Sequence, residues 1–203
     1  MCINCQSGGF HQEQSLNKLS DNLVNEGWEQ YIKSDYSGFT KNNRIDIHVS
    51  NDIPRKFKRF TKWTIRQIDK VTKYKIGMVK DKNDADIFVD DVDNYNQFGD
   101  GAKNAKGIAY INMNDGKLYA TWLTDWNLIN YNNGKRKPRV WSYTKRLITH
   151  EILHTLGLGH PYGDGNTEGI TNVDTAMSYN HFDFSITKAL RPADVTALQS
   201  IWG

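Results

Sequence analysis

Apolar and polar positions alternate over residues 44–50, where Ile45, Ile47 and Val49 are interleaved with Arg44, Asp46, His48 and Ser50. A period of two predicts a strand with one buried face, closed by Pro54. His48 falls on the polar face and is expected to be solvated. The period then lengthens. Phe57, Phe60, Ile68 and Val71, with Thr64 between them, form one stripe at helical spacing, which predicts an amphipathic helix over roughly 56–75. Residues 84–90 read as a second strand, and 107–113 and 117–123 as two more. Asn114-Asp115-Gly116 between the last pair is a hairpin signal. Asn, Asp and Gly crowd 91–106, which predicts a long loop, as does 130–138. Ser142 is the candidate N-cap of a helix that runs to about Leu156, with Gly157 as its stop. Residues 159–183 are mostly irregular. A last helix covers Arg191 to Trp202, with Pro192 in its first turn. Upstream, Leu16, Leu19, Leu23 and Val24 recur at helical spacing, so residues 1–40 read as a leader segment with one short helix.

Composition narrows the class without changing this layout. The 203 residues suit one domain, 38% of them hydrophobic and 24% charged, as in soluble globular proteins. A net charge of +3, from 26 basic and 23 acidic residues, is too small and too scattered to argue for nucleic acid or a membrane surface. No apolar run approaches the roughly 18 residues of a membrane-spanning helix. Cys2 and Cys5 are the only cysteines, so the body of the fold does not depend on internal disulfides. The pair itself is open to three readings: a thiolate latch over a metal, a small disulfide, or no role. The N-terminus lacks a basic start followed by an apolar stretch. The expectation is an extracellular or exported chain that uses no conventional signal, with an intracellular one or a trimmed leader as alternatives.

The candidate chemistry lies in His150-Glu151-Ile152-Leu153-His154-Thr155-Leu156-Gly157-Leu158-Gly159-His160. A catalytic zinc needs three protein ligands and one open position. His150 and His154, four apart, share one face of a helix. Glu151 adjoins the first ligand, too close in the chain to be a comfortable third, which suits a base. Gly157 can take the left-handed conformation that turns the chain back, and His160 is then placed as the third ligand. The expected reaction is peptide-bond hydrolysis by a zinc-bound water that Glu151 activates. Chance assembly of the two-histidine motif together with Gly157 and His160 is of the order of one chain in 10⁵ of this length, given usual residue frequencies.

This run is the metzincin signature, and within the metzincins the chain most resembles the serralysins. Pro161 follows the third histidine. Asp174-Thr175-Ala176-Met177-Ser178-Tyr179 resembles the methionine turn beneath the metal, with Tyr179 two residues after Met177. Residues 194–203 resemble the last catalytic-domain helix shared by serralysins and matrixins. The resemblance implies an α+β fold: a twisted, mostly parallel five-stranded sheet with an antiparallel edge strand, two long helices, and a small C-terminal lobe ending in a helix. A catalytic domain would then span 41–203, divided into an upper lobe 41–157 and a lower lobe 158–203. It implies that Met177 packs and that Tyr179 is a switchable ligand that swings to the transition state. The glycine-rich calcium repeats that continue secreted serralysins are absent from this sequence, and no histidine–aspartate cluster for a structural zinc is apparent in 91–126. One zinc is expected. The acidic and Asn-rich 91–104 loop has no recognisable calcium-loop spacing, which leaves calcium as an open second cofactor without support from the residues.

Gly107, Ile108, Ala109 and Tyr110 form a candidate edge strand above the cleft, to which an extended polypeptide substrate could add; an ordinary interior strand is the alternative. His181 reads as cleft wall or surface, and His11 carries no signal. The expected protein is a monomeric metalloendopeptidase. The alternatives are a specific or self-processing protease, and a zinc-stabilised binding module that has lost turnover.

Overall fold

The computed structural model describes residues 43–92, 107–111, 117–123, 138–161, 174–178 and 188–203. The leader helix, Cys2, Cys5, His11, the 93–106 and 130–137 loops, the Asn114–Gly116 hairpin, Tyr179 and His181 lie outside them.

The elements follow the predicted order: β1 (Arg44–Val49), α1 (Arg55–Asp69), β2 (Lys75–Val79), a single 3₁₀ turn (Lys82–Asp84), β3 (Ile87–Val92), β4 (Gly107–Ile111), β5 (Leu118–Leu123), α2 (Pro138–Thr155) and α3 (Pro192–Trp202). The strands form one five-stranded sheet in the order β2-β1-β3-β5-β4. β1 is parallel to β2 and β3, and β3 to β5. β4 runs antiparallel to β5, with Ile111 opposite Leu118. β4 therefore closes one edge. This is the mixed sheet and edge strand expected of a metzincin catalytic domain.

Ile45, Ile47, Ile87, Val89, Ala120 and Trp122 supply the buried side of the sheet. On α1, Phe57, Phe60, Thr61, Thr64, Ile65 and Ile68 make the matching stripe, while Arg55, Lys56, Arg59 and Arg66 stay exposed. α2 packs against β5, β4 and α1; Ile148, Ile152 and Leu153 are fully buried apolar positions on it, and Leu156, just past its end, is buried with them. Among the described residues, no helix is long and apolar enough to cross a membrane.

Three local expectations need correction. The first helix stops at Asp69, and residue 75 begins a strand. The Asp69 carboxylate accepts from Ile76 N–H at 2.9 Å, and the Thr72 hydroxyl donates to Ile68 C=O at 3.2 Å. These polar side chains offer the backbone an exit from the helix. The chain thereby gains β2, the fifth strand, which periodicity alone does not reveal. Second, α2 begins at Pro138, so Ser142 lies inside it. A proline suits a first turn, whose N–H groups have no intrahelical partner. Third, His48 is buried, not solvated. It stacks on Phe88 at 5.0 Å. The row continues through Phe88–Tyr119 and Tyr119–Tyr110 on that same side of the sheet, so this face is aromatic where simple alternation predicts polarity.

Candidate metal centre

α2 carries two of the predicted ligands, and its C-terminus delivers the third. Gly157 has φ 96°, the left-handed region that glycine enters without steric cost. The Gly157 N–H donates to His154 C=O at 3.1 Å, and the Leu158 N–H to Leu153 C=O at 3.0 Å. This pair of bonds is a Schellman cap. It satisfies the terminal carbonyls and reverses the chain, so that His160 returns to the helix it has just left.

The outcome is a tight triangle. His154 Nε2 lies 3.0 Å from both His150 Nε2 and His160 Nε2, and the latter two are 3.1 Å apart. All three rings are buried. The outer ring nitrogens have fixed partners: His150 Nδ1 donates to Ala176 C=O at 3.0 Å, and His154 Nδ1 to Leu158 C=O at 2.7 Å. Those bonds hold the proton on Nδ1 and leave the Nε2 lone pairs facing inward. Two such lone pairs 3.0 Å apart repel unless a cation lies between them. Tetrahedral zinc with Zn–N bonds of about 2.0–2.1 Å sets its nitrogens about 3.3 Å apart, close to the observed separations. Burial, reinforced by the neighbouring His160, lowers the pKa of His150 to about 3. The ring is then neutral at pH 7, as a ligand must be. Among the described residues, these three histidines are the one group of side chains that could together hold a metal ion, and a set of three histidines suits a catalytic zinc.

Glu151 is fully buried on α2, next in the chain to His150. It lies against Gly107, the first residue of the edge strand: a β-carbon placed there would be 2.8 Å from Glu151 Cγ and Cδ. Ile108 is buried, whereas Tyr110 is among the exposed large side chains.

The segment Thr175–Ser178 makes a turn, closed by Ser178 N–H to Thr175 C=O at 3.4 Å, with Met177 fully buried in the core. The sequence carries no local signal for its anchor. Asp194, fully buried in the first turn of α3, accepts from the Thr175 hydroxyl, from Ala176 N–H at 3.1 Å and from Arg191 N–H at 2.8 Å. The Thr175 hydroxyl in turn accepts from Met177 N–H at 3.1 Å. Because Ala176 C=O receives the proton of His150 Nδ1, Asp194 sits two links from the metal triangle. The local signal for Asp194, an acid in a helix first turn, does not point to a partner 18 residues away. A second tie comes from the end of α3, where Trp202 Nε1–H donates to Leu156 C=O at 2.8 Å.

Residues 150–161 and 174–178 thus converge where the motif predicts. Tyr179, an expected site residue, lies outside the described residues.

No family model matches the chain. Serralysin G of Dickeya chrysanthemi is 27% identical over 185 residues, covering 76% of this chain. The chain spans 37% of the length of that relative. With this likeness, the buried triangle built by the metzincin motif and the mixed five-stranded sheet, the chain is a distant homologue of the serralysins with the features of a metzincin catalytic domain.

Proposed function

We propose that the chain is a zinc-dependent endopeptidase. The observation that carries this reading is the buried triangle of His150, His154 and His160 with Glu151 next to it on the same helix. A zinc site that only stabilises a fold has no use for an adjacent buried carboxylate and is usually closed by a fourth protein ligand.

His150, His154 and His160 would hold the ion. When bound, zinc would supply the Lewis acidity that lowers the pKa of a water toward neutrality and polarises a carbonyl oxygen. Glu151 takes a proton from the attacking water and hands it to the leaving amine. Ala176 C=O and Leu158 C=O keep His150 and His154 in the tautomer and orientation that ligation requires. Tyr179 is assigned a hydrogen bond to the developing oxyanion, as the serralysin resemblance implies, and Met177 supports the triangle by packing. The catalytic unit is residues 41–203, with lobes meeting after Gly157.

The substrate is an extended polypeptide that adds to the outer edge of β4, along Gly107, Ile108, Ala109 and Tyr110. The edge position of β4 supports this, because such a strand offers backbone donors and acceptors in register for another strand.

Cleavage of a peptide library tests the reaction. Internal peptide bonds are expected to be cut, the activity to vanish on chelation, and one equivalent of zinc to restore it. Cleavage that survives complete metal removal would sink the zinc mechanism. Stoichiometric zinc with no cleavage of any peptide would favour a silent module. Strand addition has its own test, in which the backbone amides of a good substrate are N-methylated one at a time. Each lost ladder bond should raise KM about 5- to 10-fold, at alternating positions only. A flat response along the peptide would rule out strand pairing.

A further inference from the structure

Gly107 opens β4 opposite Trp122 in the antiparallel ladder. Directly opposed residues project to the same face of a sheet, so a side chain at 107 would point where the fully buried Trp122 does, into the core. That space is taken. A β-carbon at 107 would be 2.8 Å from both Cγ and Cδ of Glu151, with Oε1 nearer still. Non-bonded carbons settle at about 3.5–4.0 Å. Glu151 has no solvent to swing into, being 0% exposed, and Cγ lies too close to the helix backbone to move without a new rotamer. Conformation is not the reason for glycine here. Among the described glycines, positive φ occurs at Gly157, and residue 107 lies in ordinary strand geometry. What position 107 needs is the absence of a β-carbon.

We propose that Gly107 is a positioning residue for Glu151: its bare Cα forms the wall of the slot that holds the carboxyl group in one rotamer beside the histidine triangle. The same residue begins the strand proposed to bind substrate, so the slot also fixes the proton-transferring group relative to the peptide. The kinetic consequence rests on the peptidase reading. The packing relation does not, and the test separates the two.

The experiment is a double-mutant cycle on the full chain with Gly107→Ala, Glu151→Ala and both together, read by thermal unfolding after chelation and by peptide cleavage with zinc restored. In the parent background, Gly107→Ala is expected to lower Tm by about 3–10 °C through overpacking. In the Glu151→Ala background, where the slot is empty, it should cost less than about 2 °C. With zinc bound one to one, Gly107→Ala should lower kcat about 10- to 100-fold and leave KM within about twofold. Equal Tm losses in the two backgrounds would overturn the packing relation. Coupled Tm values with an unchanged kcat would overturn the positioning role. If Gly107→Ala does not fold, a folded double variant supports the slot, and a double variant that also fails refutes it. A parent that cleaves no peptide removes the peptidase reading, while the Tm cycle still decides whether position 107 makes room for Glu151.

Discussion

Replacing Glu151 with alanine is expected to lower kcat by about 10²–10⁴-fold, the usual contribution of a positioned general acid–base, while zinc still binds one to one. The separation of the two properties follows from the geometry. The metal triangle is made by three imidazole nitrogens, and its orienting bonds run to Ala176 and Leu158. None of these passes through Glu151. The change removes a fully buried side chain, so a loss of stability is also expected. Glu151→Gln, close in shape, keeps the packing and should lose turnover to a similar degree. Metal analysis of both variants, with kcat and KM on one peptide, checks the prediction. A Glu151→Ala variant that cleaves as well as the parent would remove this residue from the mechanism. Loss of zinc from both variants would mean that the carboxylate helps to hold the ion.

The difference between what the sequence discloses and what it conceals has a physical basis. His150, Glu151, His154, Gly157 and His160 are legible because a helix turn and its cap impose fixed offsets. The Schellman bonds at Gly157 and Leu158 are a local consequence of a glycine at that position. β1 and β5 are legible through their apolar content, and the edge position of β4 matches the expected architecture. β2 is hidden because Lys75–Val79 has only Ile76 buried, too little alternation to mark a strand. The end of α1 is concealed for a related reason: Val71 continues the apolar stripe by packing against the core from a turn, so periodicity runs past the point where Asp69 and Thr72 end the helix. His48 misleads because strand alternation assigns a face, whereas burial of that face depends on what other strands contribute, here Phe88 and Tyr119. The tie of Asp194 to the 175–176 turn and the closeness of Gly107 to Glu151 are invisible for the most general reason. Each joins residues distant in the chain, and a single sequence carries no signal for such a contact.

Asp194 provides the second large effect. Its carboxylate takes hydrogen bonds from the Thr175 hydroxyl and from the Ala176 and Arg191 N–H groups, all without solvent contact of its own. Asp194→Ala leaves these donors without their acceptor and is expected to cost about 3–5 kcal/mol of stability, since each buried donor left unsatisfied costs about 1–3 kcal/mol. It also frees Ala176, whose carbonyl orients His150, so zinc affinity should fall about 10- to 100-fold, as for other groups that hold a metal ligand in place. Denaturant unfolding and a chelator competition measure the two losses. Unaltered zinc affinity in a destabilised variant would reduce Asp194 to a fold anchor. Acidity gives an independent check. Burial pushes Asp194 up from 3.8 to about 6 against the opposing pull of its hydrogen bonds, with Asp174 adding a smaller push upward. The folded chain therefore holds an extra proton between about pH 4 and 6, and the stability linked to this group is fully present below about 4 and lost as pH rises through about 6. Asp194→Asn does not titrate there. In the metal-free proteins the parent should gain stability relative to Asp194→Asn as pH falls from about 6 to about 4. A constant difference across that interval would show that the carboxylate ionises in the folded chain as it does in the unfolded one, with its hydrogen bonds offsetting the cost of burial.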